Sequence, residues 1–326
     1  VQPQRWVAFT VLIVIAALGA CSPADRFLLY IDPYEFEVLG GQGIDKATIR
    51  QSLPKDLHVR IEVSSLVTEE AEGLRRFAQV IERHKPGWVY LSPAHPFNPE
   101  VIISQYPDVR FFREGPARED RTGESRANWI DLVYDREQAN CEAGRAIAAL
   151  LRDADFLNRI GVATPGGVKP RVGILVAVST ESVRRENAAF VEGFSQLEDP
   201  QRIEIKEIGN LTDRVKARRL LDGMAEKAVA IVLLRTYVLS GFCLEYLAKG
   251  PGAAVVEGPI PDQAYGDKVL LMLVDDFIGA LQQMAETIDR ESPAGTVERV
   301  TAPVRLQWGE AYRSVVARFV EGVNQQ

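Results

Sequence analysis

The chain has 326 residues, 46% of them apolar and 25% charged, with 38 Lys and Arg against 45 Asp and Glu. That balance builds a packed core, and the length is enough for two domains. A net charge of −7, with no long basic run interleaved with aromatics, argues against a surface made to track the phosphates of a nucleic acid, so nucleic acid is not an expected partner.

In chain order, "RWVAFTVLIVIAALGACS" comes first: Arg5, an apolar run from Trp6 to Leu18, then Gly19, Ala20 and Cys21. A helix of that length rises about 20 Å, short of the roughly 30 Å hydrocarbon core. A charged start, a short apolar middle and a small-residue exit describe a secretory signal over residues 1–20. Leu18-Gly19-Ala20-Cys21 resembles the lipobox of bacterial lipoproteins. The resemblance implies a mature chain that begins at an acylated Cys21 and is held to a bacterial membrane on its periplasmic or outer side. Each buried CH₂ of such acyl chains contributes about 0.8 kcal/mol, and two or more chains anchor stably.

From residue 27, short apolar or β-branched runs alternate with amphipathic stretches. "RFLLYI" and "DLHVRIEVSS" read as strands, the second with Val59, Ile61 and Val63 on one side, and "DKATIRQSL" between them has helical character. "EEAEGLRRFAQVIERHK" places Leu74, Phe77, Val80 and Ile81 at helical spacing and leads into the strand "GWVYLS"; "DVRFFRE" and "ANWIDLVY" follow. Strand, helix, strand at this rhythm predicts parallel βαβ units and a doubly wound α/β sheet.

A second series starts near residue 171. "RVGILVAV" has the continuous apolar character of a central parallel strand. The next helix, "ESVRRENAAFVEGFSQL", turns Val183, Ala188, Phe190, Val191 and Phe194 toward the sheet. "RIEIKEI" and "AVAIVLL" are strands around the helix "TDRVKARRLLDGMAEK", with Thr212 as its expected N-cap. "VLSGFCLEYLAK", "AAVVEG", "KVLLMLV", the helix "DFIGALQQMAETIDRE", late strands in "TVERVTAPVRLQW" and a terminal helix, "GEAYRSVVARFVEGV", complete the chain. The expected organisation is an N-terminal lobe over 21–134, completed by about 275–300, and a C-terminal lobe over 135–274, completed by about 301–326. Cys141 and Cys243 lack metal-ligand spacing, as do His58, His84 and His95, so neither a metal nor a cofactor is expected. An exported compartment permits a disulfide between those cysteines, but two half-buried residues on separate helices is the favoured reading.

This order of elements resembles the type I periplasmic-binding-protein fold, two Rossmann-like lobes joined by three crossovers. Arg136-Glu137-Gln138-Ala139 and Ala143-Gly144, ahead of "RAIAALL", resemble the helix that opens the second lobe in the basic membrane protein family. That family includes purine-nucleoside-binding lipoproteins of ABC importers. "VGILVAVSTESVRRENAAFVEGFSQL" is similar to its next strand and helix, while "IDPYEFEVLGGQG" departs from the Asp-Asn or Phe-Asn pair usual after the first strand. The "AG" pair also serves close packing of helix and sheet. The resemblance implies a solute receptor that holds a small polar ligand in the interlobe cleft, with an ABC permease as partner.

Ligands of open α/β sheets bind beyond the carboxyl ends of the strands. That rule alone selects Asp32, Tyr34 and Phe36 after the first strand, and Ser92, His95 and Phe97 in the Pro-stiffened loop after "GWVYLS". It also selects Ser179, Thr180 and Glu181 after "GILVAVS", where free helix N–H groups suit an anion. Arg235, Thr236 and Tyr237 end the strand "AVAIVLL", and Glu257 ends another, with Asp262 and Tyr265 following. Arg235 either reaches a ligand or pairs with a neighbouring carboxylate; Asp275 either lies at a crossover between the lobes or caps the next helix, and the cap is favoured. Catalysis has little support. "GGQG" is neither a dinucleotide fingerprint nor a P-loop, and no G-x-S-x-G elbow occurs. A tethered sensor or a protein-binding lipoprotein that kept the fold without transport is the alternative to a transport receptor.

Overall fold

The computed structural model describes residues 26–65, 69–92, 95, 97–114, 128–162, 168–258, 265, 267–290 and 299–314. Cys21, Asp262 and most of the expected terminal helix lie outside the described residues. Two compact units emerge: residues through Val133 with Phe277–Ala302, and Tyr134–Asp276 with the chain from Pro303 onward.

The first unit opens with β1 (Arg26–Ile31), α1 (Pro33–Gly41), α2 (Lys46–Gln51), β2 (His58–Val63) and α3 (Glu70–His84). It continues with β3 (Trp88–Leu91), α4 (Pro99–Ile103), β4 (Arg110–Glu114) and β5 (Trp129–Tyr134). The second unit holds α5 (Arg136–Leu150), α6 (Ala154–Arg159), β6 (Arg171–Val176), α7 (Glu181–Ser195), β7 (Ile203–Glu207) and α8 (Arg214–Ala225). β8 (Val229–Arg235), α9 (Ser240–Leu247), β9 (Ala253–Glu257) and β10 (Val269–Asp275) follow there. α10 (Phe277–Arg290) and β11 (Arg299–Ala302) then return to the first unit, and β12 (Val304–Trp308) to the second.

The sheet orders are β2-β1-β3-β4-β5-β11 and β7-β6-β8-β9-β10-β12, so one winding is used twice. The ladders through β1–β5 and β6–β10 are parallel, and β12 closes its sheet antiparallel to β10. Central strands are covered on both faces, which is why β6 and β8 read as nearly unbroken apolar runs.

Local chemistry sets the helix ends. Asp32 accepts the Glu35 N–H at 2.9 Å and Pro33 occupies the first turn, so α1 begins as soon as β1 ends. "PYEFEVLGG", unassigned from the sequence, is therefore a helix. α3 has Glu70 and Glu72 in its first turn and Arg83 and His84 in its last, matching the helix dipole, and Lys85 ends it in a left-handed conformation (φ 45°). At α8 the cap is Asp213, which accepts the Lys216 N–H at 2.9 Å; Thr212 instead turns back onto Asn210. A carboxylate next to the first helical residue outcompetes a hydroxyl one position too early.

α5 and α7 pack with almost no separation. A Cβ on Gly193 would sit 1.8 Å from the Cys141 carbonyl oxygen, and one on Gly144 2.1 Å from that of Phe190. Gly144 of the "AG" pair thus serves the approach of helix to helix. On α7, Val183, Phe190 and Phe194 are buried as expected, but Ala188 is exposed and the polar Glu186 and Asn187 face inward. Each fully buried Phe side chain contributes about 2–3 kcal/mol. Cys141 and Cys243 are free thiols on α5 and α9, and burial pushes the Cys243 thiol up to about 11.

Candidate ligand-binding site

In a sheet wound 2-1-3-4-5, the strand order reverses between the first and third positions, and the carboxyl edge there is the natural ligand site. In the first unit the reversal falls between β1 and β3, whose next residues are Asp32 and Ser92. Both side chains are buried. Ser92 Oγ accepts the Asp32 N–H at 2.7 Å and donates to Asp32 Oδ2 at 2.9 Å, fastening the two strand ends together.

His95 closes on the same point. Its Nε2 lies 3.3 Å from the Tyr30 carbonyl and 3.1 Å from Ser92 Oγ. A carbonyl only accepts, so Nε2 carries the proton and Nδ1 is left as an acceptor. That Nδ1 is buried without a partner among the described residues. Burial lowers the His95 pKa, so the ring is neutral at physiological pH. The ring stacks between Tyr30 and Phe97, at centroid distances of 4.9 and 5.2 Å. Phe97 is itself buried and stacks on Phe77, which makes it packing for the imidazole.

Glu35 is the residue that sequence reasoning missed here. Asp32-x-x-Glu35 has the spacing of a capping box, a signal that could have found it. Tyr90 donates to Glu35 Oε1 at 2.8 Å, and Oε2 is buried without a partner among the described residues. Burial first, then the nearby Glu114 carboxylate, push the Glu35 carboxyl up to about 8. At neutral pH it is therefore mostly an acid with a proton to donate. Tyr34 on the same helix is 71% exposed, while Phe36 is half-buried under the Lys46 ammonium.

In the second unit the reversal falls between β6 and β8, and β8 ends at Arg235, which is 0% exposed. Its Nη1 donates to Glu186 Oε2 at 2.6 Å and also to Glu257 Oε1, and its Nη2 donates to Asn140 Oδ1 at 2.6 Å. Asn140 in turn donates to the Arg136 carbonyl, and Ser182 to Glu186 Oε1. Beside them Arg136 grips Asp275 with two bonds, at 3.1 and 2.5 Å, so that carboxylate serves an ion pair in place of the expected helix cap. The cluster holds Arg136 and Arg235 against Glu186, Glu257 and Asp275, one carboxylate in excess. Burial raises the Glu257 pKa, Arg235 opposes the rise and Glu186 reinforces it.

Arg235 thus pairs with carboxylates, one of its two expected roles, while its Nε remains buried without a partner among the described residues. Arg136, Asn140 and Glu186 were not foreseen; their signal is a polar side chain at an inward helical position, as Glu186 is between Val183 and Phe190. Tyr237 follows in a left-handed conformation (φ 48°), strained for a bulky residue, with its side chain 54% exposed. At the start of α7, Thr180 accepts the Val183 N–H as N-cap and Glu181 pairs with Arg184 on the surface.

The fold is shared with solved structures. A transcriptional activator of the comK gene from Bacillus halodurans superposes with TM-score 0.60 at 16% identity, over 91% of this chain and 95% of that one. AraP, an arabinose binding protein from Geobacillus stearothermophilus, gives 0.59 at 12% identity, over 90% and 98%. A sugar-binding protein of a sugar ABC transporter from Bacillus halodurans gives 0.58 at 11%, over 89% and 99%. The fold is that of the type I periplasmic binding proteins. Beyond these structures, no family model and no curated protein matches the sequence. Within this periplasmic-binding fold, no helix among the described residues is long and apolar enough to cross a membrane.

Proposed function

We propose that this chain is an exported, lipid-anchored solute-binding protein of an ABC-type importer, and that its ligand is a small hydroxyl-rich molecule. The observation that carries this reading is the set of orphaned polar atoms at the two switch points: Glu35 Oε2, His95 Nδ1 and Arg235 Nε. Buried groups left without partners are costly, so such atoms mark places made for a ligand's own polar groups. Their characters are mixed: a protonated carboxyl and a guanidinium N–H donate, and an imidazole nitrogen accepts. A hydroxyl does both, which suits a sugar or the ribose of a nucleoside. Sugars are named for AraP, and nucleosides follow from the basic-membrane-protein resemblance. Tyr34 and Tyr237 supply exposed rings to stack on either.

The test is a thermal-shift screen on chain unfolded and refolded to strip carried-over ligand, against sugars, nucleosides, amino acids and small anions. A ligand at 100 times its Kd adds about 2.7 kcal/mol, a rise of several degrees. Tyr34→Ala and Tyr237→Ala should abolish the rise while melting near the parent without ligand. A response to amino acids or anions alone would sink the hydroxyl-ligand reading. A second reading, a tethered sensor that kept the fold without transport, is favoured by the likeness to the comK activator. Ligand binding with no uptake defect in a deletion strain would select it.

A further inference from the structure

A cavity of about 550 Å³ lies at the other edge of the first sheet, where the parallel strands begin. Arg26 and His58, register partners at the starts of β1 and β2, form part of its wall. Arg50, Lys55, Arg60 and Arg83 complete a ring of five permanent cations with Arg26. No described carboxylate pairs with any of those five. Glu62 is taken by His84 at 2.9 Å, and Asp56 lines a separate cavity beside Trp88 and α10. Such a concentration of charge is unusual on a chain of net charge −7. Like charges gathered with no counterion among the described residues destabilise a fold, so the arrangement calls for an anionic partner.

Position identifies the partner. Arg26, the first residue of β1, is five residues from Cys21, and five residues span at most about 18 Å even when fully extended. A chain anchored at Cys21 therefore keeps this edge close to the bilayer. We infer that the amino edge of the first unit docks on anionic phospholipid headgroups, with the Arg26, Arg50, Lys55, Arg60 and Arg83 cavity receiving their phosphates. The inference rests on the lipid-anchor reading above. An acyl anchor joined to a basic patch is a two-signal attachment, each half strengthening the other. β1 runs about 20 Å from this edge to Asp32, so docking directs the candidate ligand edge of the first unit away from the membrane.

The experiment uses the full chain purified from membranes and reconstituted into vesicles of phosphatidylcholine alone or with 30% phosphatidylglycerol. Backbone hydrogen exchange of segments 50–62 and 83–87 is measured in each. We expect slower exchange only with phosphatidylglycerol. The protection should vanish in 0.5 M salt, where the screening length is a few ångströms, and in the exposed-residue variant Arg60→Gln/Arg83→Gln. Flotation of chain bearing no acyl group should weaken about fivefold per charge removed. Equal exchange in the two vesicles overturns the inference. So does protection by inorganic phosphate alone, which assigns the cavity to a free anion. The intact mass of the Cys21 peptide scores the anchor separately. If it lacks acyl chains the anchor reading fails, and flotation with phosphatidylglycerol vesicles then decides the cavity: salt-sensitive flotation supports it, none overturns it.

Discussion

Glu35 shows what a single position contributes. Its carboxyl titrates near 4.5 in the unfolded chain and near 8 in the folded one, because burial and Glu114 disfavour its charge. Below about pH 4.5 both states hold the proton. Between 4.5 and 8 only the folded state does, so each step up in pH favours unfolding, and above 8 the loss is complete. Glu35→Gln keeps an acceptor for the Tyr90 hydroxyl and has no proton to lose. It should be more stable than the parent at pH 9 by about 1–3 kcal/mol and nearly equal at pH 4.5, as read from urea unfolding at the two pH values. A difference that does not change with pH would show that Glu35 keeps its ordinary pKa. Of the site, the sequence announced the strand-end residues Asp32, Ser92, Arg235 and Glu257, because a polar residue that closes an apolar run sits at a sheet edge. It hid Asn140 and Glu186, whose burial depends on a partner helix that only tertiary packing supplies.

Among the elements, the α5–α7 crossing is the least forgiving. Its closest approaches are to backbone carbonyls, which cannot swing aside as a flexible side chain would. Gly193→Ala should cost about 1–3 kcal/mol or more, since the helices must separate to admit a methyl group. Gly223→Ala on α8, where nothing lies within 4 Å, should instead stabilise by up to about 1 kcal/mol. Chemical denaturation of the two variants side by side is the check, and equal effects would remove the close crossing as the cause. The strands were the most legible elements: "RFLLYI" is β1 residue for residue, and "AVAIVLL" differs from β8 by one position at each end. Apolar runs bounded by charge leave little choice when both faces are covered. α1 is not assigned from the sequence, where Tyr34 and Phe36 read as ligand candidates, although Asp32-Pro33 carries a helix-start signal. α6 is short, and its buried Phe156 and Leu157 are too few to set a period.

At the scale of the whole molecule, both sheets are finished by chain that arrives last. α10 buries Phe277, Ala280, Leu281 and Met284 in the first unit, Phe277 lying 5.7 Å from the Tyr90 ring, and β11 takes the place beside β5. A chain that stops after Asp276 lacks both, and also the β12 partner of β10. It should lose its cooperative melting transition and bind a hydrophobic dye that the complete chain excludes; a sharp transition near the parent's would contradict this. The same late return has a consequence for folding in chain order. Strands β1–β5 emerge first, yet they stay without their last strand and covering helix until about residue 300 has followed. Were the chain exported N-terminus first, as proposed above, the first half could not close before nearly all of it had crossed, and a sheet that cannot close early cannot jam the passage.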